Sequence, residues 1–155
     1  MTPRLEPLTS EWLARVVALE QAGQAMPWSG DQLQNVFEDE RAHPWGAWQR
    51  DCLVGYAVLY RLPFEAELQT LVVAAEARRC GVARALVERL VEEATRWESE
   101  RLLLEVGASN RAALGLYEKL GFRRDGRRRD YYRDPSGQYQ DAVLMSLLLP
   151  AGRVA

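Results

Sequence analysis

Glu105 is a single carboxylate inside the apolar run of residues 102–106, which has the composition of a buried strand. An unpaired carboxylate in apolar surroundings is costly, so it is normally held in a salt bridge, placed at an exposed strand end, or used in chemistry. Burial raises a carboxyl pKa and so favours proton transfer near neutral pH. The position of Glu105 therefore indicates a general base, with a structural salt bridge as the alternative.

Tyr117 is the second candidate for a chemical role. On a predicted helix, Ala113, Leu116, Tyr117 and Leu120 fall on one face, so the phenol points inward. A buried tyrosine is most often part of a core, yet its hydroxyl still needs a hydrogen-bond partner. A leaving thiolate is one such partner, and the phenol can donate a proton to it. Tyr117 is therefore a candidate general acid, with a core role as the alternative.

A turn at residues 78–84 is the third feature, and it joins an apolar strand to an amphipathic helix. Backbone N–H groups at a helix start have no partner within the helix, and the helix dipole adds partial positive charge. Gly81 permits close approach of phosphate oxygens, and Arg79 and Arg84 add full charges. The turn is not a P-loop, because the only lysine is Lys119, and it lacks the three glycines of a dinucleotide fingerprint. An ordinary strand-to-helix turn is the alternative.

The elements that position these residues follow from periodicity and capping. A strand is predicted at residues 4–8, followed by helices at 9–23 and 30–38, the second opened by a capping box of Ser29 and Gln32. An antiparallel meander follows, with strands at residues 45–49, 53–60 and 66–73. Arg50 and Asp51 form the two-residue turn of its first hairpin.

The second half of the chain predicts a helix at 81–98 and a strand at 102–106. That strand is apolar enough to be covered on both faces and to pair in parallel with the strand that contains residues 71–73, through a helical crossover. Ser109 or Asn110 caps a helix that Gly121 ends, and two strands at 122–133 and 139–149 close the sheet. The predicted order is β-α-α-β-β-β-α-β-α-β-β on one mixed sheet of the α/β class.

Composition excludes several other classes of protein. The chain has 155 residues and a formal charge of −2, which gives no global case for binding nucleic acid or membranes. We expect one domain at residues 1–150 and a C-terminal tail at 151–155. Cys52 and Cys80 are too few for a disulfide framework, and His43 is the only histidine, so a histidine metal site is not expected. Without a secretory segment or a membrane-spanning run, a cytoplasmic location is expected.

Two motifs resemble those of the GNAT family of N-acetyltransferases. Arg78, Gly81 and Ala83 fit the coenzyme A pyrophosphate loop, and Asn110, Ala113 and Tyr117 fit the pattern Asn-x-x-Ala-x-x-x-Tyr. Residues 68–145 are similar to the RimI branch, the ribosomal-protein-alanine N-acetyltransferases. The segments that carry this likeness are residues 26–29, 104–110, 116–122 and 129–132. Cys80 and Gly107 depart from the usual residues of the family, and Gly107 bears on the substrate channel.

The resemblance implies a sheet with a splayed central pair of parallel strands and acetyl-CoA as co-substrate, without a metal. It assigns Glu105 as general base, Tyr117 as general acid, and Tyr131 and Tyr132 as residues that hold a peptide N-terminus. The implied coenzyme contacts are Leu71, Val72, Val73, Arg79, Cys80, Gly81, Val82, Ala83, Arg84 and Asn110. The implied acceptor is the N-terminal amine, alanine, of a ribosomal or other protein, and neither membrane nor nucleic acid is required.

The acceptor class also has a chemical argument behind it. An α-amine, with a pKa of ~7.7–8, is far easier to neutralise than a lysine at ~10.4, a difference of roughly 3 kcal/mol. This favours an N-terminus without excluding lysine or a small amine. A non-enzymatic acetyl-CoA sensor is a further alternative, although it has no need of Glu105 and Tyr117. The basic cluster at residues 123–129 is interpreted as a solvated surface rather than an RNA contact.

Overall fold

The computed structural model describes residues 2–133 and 136–153. Short 3-10 turns at Ser10–Trp12, Ala75–Ala77 and Pro150–Arg153 accompany the main elements, whose order confirms the prediction. The main elements of the described residues are β1 (Arg4–Pro7), α1 (Leu13–Gly23), α2 (Gly30–Glu38), β2 (Ala42–Gln49), β3 (Cys52–Arg61), β4 (Glu65–Val73), α3 (Val82–Arg96), β5 (Arg101–Gly107), α4 (Arg111–Lys119), β6 (Arg123–Arg133) and β7 (Tyr139–Leu148).

The strands form one mixed sheet in the order β1-β2-β3-β4-β5-β7-β6, in which β4 and β5 run parallel and the other neighbours antiparallel. Within the described ranges, the parallel pairing runs only from Glu65–Arg101 to Leu68–Leu104. Beyond that last pair β4 continues to Val73 and β5 to Gly107, so the two strands part. The predicted fold class and the splayed central pair are both confirmed.

A β-bulge at Gln69 changes which face of the sheet the side chains of β4 point to. Leu68 pairs with Leu59 of β3 and Thr70 pairs with Val58, which leaves Gln69 as the extra residue. Before the bulge, Leu68 packs into the core under α3 and α4, while after it Val72 packs into the core under α1 and α2. The alternation of β4 side chains between the two faces of the sheet therefore shifts by one residue at the point where β4 and β5 part.

Strand β5 is covered less completely than the sequence predicts. Leu102, Leu104 and Val106 are buried in the core on the α3 side, whereas Leu103, Glu105 and Gly107 are only partly buried. The expectation that both faces are covered is therefore wrong. The reason is that the second face looks into an open cleft rather than onto a helix.

Local capping and turn signals are met as predicted. Ser29 caps α2 by accepting a hydrogen bond from the Gln32 N–H at 3.1 Å, and the Gln32 side chain accepts one from the Ser29 N–H at 2.8 Å. Gln49 pairs with Cys52 across the two-residue turn of the β2–β3 hairpin. In the part of the chain described here, no helix is long and apolar enough to cross a membrane.

Candidate active site

A cavity of about 470 Å³ opens where β4 and β5 part. Its walls come from the α1–α2 connection, the bulged part of β4, the end of β5, the start of α4 and the β6–β7 hairpin. Glu105, Tyr117 and Asn110, which are distant in the sequence, all lie on this wall. The cavity therefore joins three of the residues predicted to carry the chemistry.

Glu105 faces the cleft side of β5, because it lies between Leu104 and Val106, which point into the opposite core. Its carboxylate forms an ion pair with Arg128, with 3.2 Å between Glu105 Oε1 and Arg128 Nη2, and the Glu105 side chain is 25% exposed. The carboxylate is therefore partly solvent-exposed and within reach of a molecule in the cavity. Glu105 lines the cavity, and its role as a general base stays a prediction.

Arg128 belongs to the basic cluster interpreted as a solvated surface, and its side chain is 53% exposed, yet it also pairs with Glu105. β7 lies between β5 and β6, and its Ala142 pairs with Gly107 on one side and Arg128 on the other. This alignment brings the guanidinium to Glu105, and the same guanidinium lies over the Tyr131 ring at 5.2 Å. Residue spacing carries no signal for this contact, because it depends on how three strands align.

Glu67 is a second carboxylate near Glu105 that sequence reasoning missed. Burial raises the pKa of Glu67, and the negative charge of Glu105 raises it further, while Arg128 acts in the opposite direction. The two carboxylates therefore lie close enough to repel each other beside one guanidinium. Glu67 itself is not among the residues that line the cavity.

Tyr117 approaches the cavity from the other side of the sheet. It is 6% exposed, and it belongs to the same core as Leu104 and Val106, with its ring 5.5 Å from that of Phe122. Burial raises the pKa of the Tyr117 phenol, so it stays protonated at neutral pH. Glu105 and Tyr117 therefore reach one cavity from opposite faces, through the gap between the strands.

Asn110 has a structural task at this site. Its side-chain oxygen accepts a hydrogen bond from the Ala113 N–H at 3.2 Å and so caps α4. The residue also lines the cavity. The cap fixes the first turn of the helix that carries Tyr117.

The 78–84 turn has the geometry of an anion site. Arg79 and Gly81 have positive φ angles of 63° and 79°, and Gly81 is the N-cap of α3 without a side-chain hydrogen bond. The Arg78 side chain donates to the Val73 carbonyl at 3.3 Å, which ties the turn to the end of β4. The exposed helix start with its N–H groups fits a phosphate group.

The predicted coenzyme residues are not all in one place. Leu71 lines the cavity, Val72 is buried toward α1, and Val73 packs on the α3 side. Among the described residues, those of the 78–84 turn lie outside the cavity lining. They continue from β4, so an extended molecule is needed to touch both regions, and coenzyme A has that shape.

Tyr131 and Tyr132 are placed by a break in the β6–β7 pairing between Arg128 and Tyr132. Tyr132 lines the cavity, and burial followed by the charge of Glu105 raises its pKa. Tyr131 is 51% exposed, with its ring edge-on to Tyr132 at 5.1 Å. Only Tyr132 therefore borders the cavity directly. Across the described ranges, no group of three or more histidine, cysteine or acidic side chains is arranged to hold a metal ion.

The structure combines a splayed parallel strand pair, a glycine-capped helix start and a cavity reached by a carboxylate and a phenol. These features together define a coenzyme A-dependent acyltransferase architecture. Comparison with protein families matches residues 9–122 to the acetyltransferase (GNAT) family. The chain belongs to this family, and the predicted resemblance is confirmed. It is an N-acetyltransferase by family, and the family implies acetyl-CoA as its acetyl donor.

Similarity to individual proteins shows which branch of the family the chain resembles, namely the RimI branch. The [ribosomal protein bS18]-alanine N-acetyltransferase of Escherichia coli K12 is 36% identical over 129 residues, which is 83% of this chain and 86% of that protein. The N-alpha-acetyltransferase RimI of Mycobacterium tuberculosis is 37% identical over 111 residues, covering 69% of this chain and 68% of that protein. The crystal structure of the E. coli ribosomal-protein-S18-alanine N-acetyltransferase has a TM-score of 0.89 and 33% identity, with 95% and 94% of the two chains covered.

Proposed function

We propose that this chain acetylates the N-terminal amine of a protein, with acetyl-CoA as donor and by direct transfer. The observation that carries the proposal is the meeting of Glu105 and Tyr117 at one cavity from opposite faces of the sheet. A carboxylate on one side and a neutral phenol on the other provide a proton acceptor and a proton donor across the reacting centre.

An N-terminal alanine of a ribosomal protein is the proposed acceptor. The support is that the E. coli relative is a bS18-alanine N-acetyltransferase and shares 36% identity with most of this chain. The carboxylate of Glu105 on the cavity wall adds support, because an α-amine arrives largely protonated at neutral pH. A cytoplasmic location, where such substrates are made, is part of the same proposal.

Acetyl-CoA supplies an activated acetyl thioester. Glu105 accepts a proton, directly or through water, from the acceptor ammonium, so that the neutral amine attacks the thioester carbonyl. Tyr117 donates its phenolic proton as the carbon–sulfur bond breaks, so that the sulfur departs as a thiol. Arg128 holds the carboxylate of Glu105 on the acceptor side. The nitrogen gives up its second proton through water to the Tyr117 phenolate, whose raised pKa favours its reprotonation, and Glu105 releases its proton to solvent.

The proposed coenzyme contacts divide into two groups. Residues 71–73 run along the part of β4 beyond its pairing with β5, where the amides of an extended ligand can add as a strand. Arg79, Gly81 and Arg84, with the N–H groups of Cys80, Val82 and Ala83, form the pyrophosphate site. Asn110 completes the set, and Tyr132 is the proposed contact to the acceptor peptide, with Tyr131 beside it.

The deciding experiment gives purified protein acetyl-CoA and a library of peptides that differ in their first residue. We expect N-terminal acetylation located by mass spectrometry, strongest for alanine. A matched set of peptides with blocked N-termini and an internal lysine is the control. Acetyl groups found only on lysine, or only on small amines, would replace the N-terminal acceptor by those alternatives.

A further inference from the structure

Glu20 of α1 is a buried carboxylate with no role in the chemistry described above. It is 2% exposed, and both of its oxygens accept hydrogen bonds. The Tyr56 hydroxyl donates to Oε1 at 2.5 Å, and the Trp28 N–H donates to Oε2 at 2.9 Å. A buried carboxylate is retained only where such donors compensate its lost hydration. Glu20 is therefore a tie between helix α1, strand β3 and the start of α2.

The contacts of Glu20 extend to strand β4 through a chain of polar side chains. The Gln24 side chain donates to Thr70 Oγ1 at 3.1 Å, and Thr70 lies near enough to the Tyr56 phenol to lower its pKa against the larger effect of burial. The polar chain therefore runs from Gln24 through Thr70 and Tyr56 to Glu20. Burial raises the pKa of Tyr56, which keeps its phenol protonated and able to donate.

The two ends of this chain border the cavity. Gln24 and Trp28 enclose the segment of residues 24–28, here called the acceptor wall, and Gln24, Met26 and Trp28 line the cavity. Thr70 lies directly after the bulge at Gln69, on the part of β4 that has parted from β5. The chain thus links one wall of the cavity to the strand proposed to hold the coenzyme.

We propose that Glu20 is a positioning residue that holds the acceptor wall at a fixed distance from the coenzyme strand and thereby sets the affinity for the acceptor peptide. The proposal rests on the proposed function and deepens it. Glu20 lines the cavity, yet it is not a second base, because both of its oxygens already accept hydrogen bonds within the protein. Its effect on the reaction passes through Trp28 and, by way of Tyr56 and Thr70, through Gln24.

The primary test compares Glu20→Ala with Glu93→Ala in steady-state kinetics. Glu20→Ala removes the acceptor of two hydrogen bonds, so we expect its acceptor KM to rise about tenfold or more. The KM for acetyl-CoA should stay within about twofold, since the coenzyme strand keeps its pairing to β3. Glu93 is a matched control, since it is 9% exposed, paired to Arg96 at 3.1 Å, and located at the far end of α3. Glu93→Ala should lower Tm and leave both KM values unchanged.

Milder variants keep the proposal testable if Glu20→Ala does not fold. Glu20→Gln retains one oxygen for the Trp28 N–H and should give a smaller rise in acceptor KM. Thr70→Val keeps the shape of the side chain but removes the acceptor for Gln24, and it should raise acceptor KM by about three- to tenfold, as one lost hydrogen bond implies. Unchanged acceptor KM in both variants, or a fall in kcat that only follows Tm, would overturn the proposal.

A measurement without turnover separates this inference from the proposed function. The Trp28 amide should exchange with deuterium faster in Glu20→Ala than in wild type or in Thr70→Val, because only the first variant removes its acceptor. Wild-type protein that fails to acetylate any peptide would remove the proposed function, whereas the exchange result would still decide whether Glu20 holds the wall. Equal exchange in all three proteins would show that Glu20 does not hold it.

Discussion

The proposed coenzyme region and the proposed acceptor region are built from different parts of the polypeptide. The coenzyme region consists mainly of main chain, namely the part of β4 beyond its pairing with β5 and the helix start at the 78–84 turn. The acceptor region consists of side chains, namely Glu105 with Arg128, and the buried pair of Glu20 and Tyr56. Main-chain groups are present whatever the residue, whereas a carboxylate or a phenol is lost with a single substitution.

This difference indicates where the chain tolerates change. Cys80 departs from the residues usual in the family, yet its backbone N–H remains available for a phosphate. Glu105, the proposed general base, has no comparable freedom, because a general base requires an ionisable group. Substitutions on the acceptor side should therefore act on turnover and acceptor KM, and those on the coenzyme side mainly on coenzyme affinity.

The largest effect is expected for Glu105→Gln. It keeps the side-chain size and removes the basicity, so kcat should fall about 10²–10⁴-fold. Affinity for acetyl-CoA should be unchanged, and raising the pH should partly restore turnover because more of the acceptor amine is then neutral. The measurement is kcat against pH at saturating acetyl-CoA, with Tm alongside. A folded variant with wild-type turnover at neutral pH would remove Glu105 from the mechanism.

Tyr117→Phe is expected to lower kcat by about 10–10²-fold, at the low end of acid catalysis because a thiolate is already a good leaving group. Since burial raises the pKa of Tyr117, the wild-type phenol stays protonated, and kcat should show no alkaline decline from its ionisation near pH ~10.

The same shift has a consequence for stability. Above the ordinary tyrosine pKa only the unfolded state readily loses this proton, so wild type should lose stability as the pH rises past ~10. Tyr117→Phe should lose less over that range in thermal melts. Wild-type kcat in a folded Tyr117→Phe enzyme would return the residue to a core role.

Gly81→Glu tests the coenzyme side. A side chain at a φ of 79° is strained, and a carboxylate at the helix start repels a pyrophosphate, so we expect the acetyl-CoA Kd to rise by about tenfold or more. Cys80→Ala, one residue away, should change it by less than about twofold, since the alanine keeps the N–H. Calorimetry measures both. An equal loss of acetyl-CoA affinity in the two variants would contradict recognition by the main chain. An unchanged Kd in both would show that the pyrophosphate binds elsewhere.

The smallest effect is expected for Glu67→Gln. The folded-state pKa of Glu67 is raised, so its stabilising contribution is complete below the ordinary glutamate pKa and is lost as the pH rises through the folded value. At neutral pH the glutamine should therefore raise Tm by at most a few degrees, and the difference should vanish near pH ~4. Glu118→Gln, on the exposed surface of α4, should show no such pattern. A lower Tm at neutral pH would show that the charge of Glu67 stabilises the fold.

Local features of this protein were determined by sequence alone. The capping box of Ser29 and Gln32, the two-residue hairpin turn and the Gly81 helix start each depend on residues only a few positions apart. The order of strands and helices followed from periodicity for the same reason, and Glu105 was found because it interrupts an apolar run. Both signals are short-range, since they depend on the 3.6- and 2-residue repeats of helix and strand.

Tertiary structure decided which of these parts meet. The alignment of β5, β7 and β6 brings Arg128 to Glu105, and the bulge at Gln69 decides which face of the sheet the later β4 side chains take. Tyr56 reaches Glu20 only after β3 is folded against α1. If the register of a strand shifts by one residue, its side chains move to the opposite face of the sheet. Such contacts therefore depend on strand register and on packing across the whole sheet. No pattern along the chain encodes them.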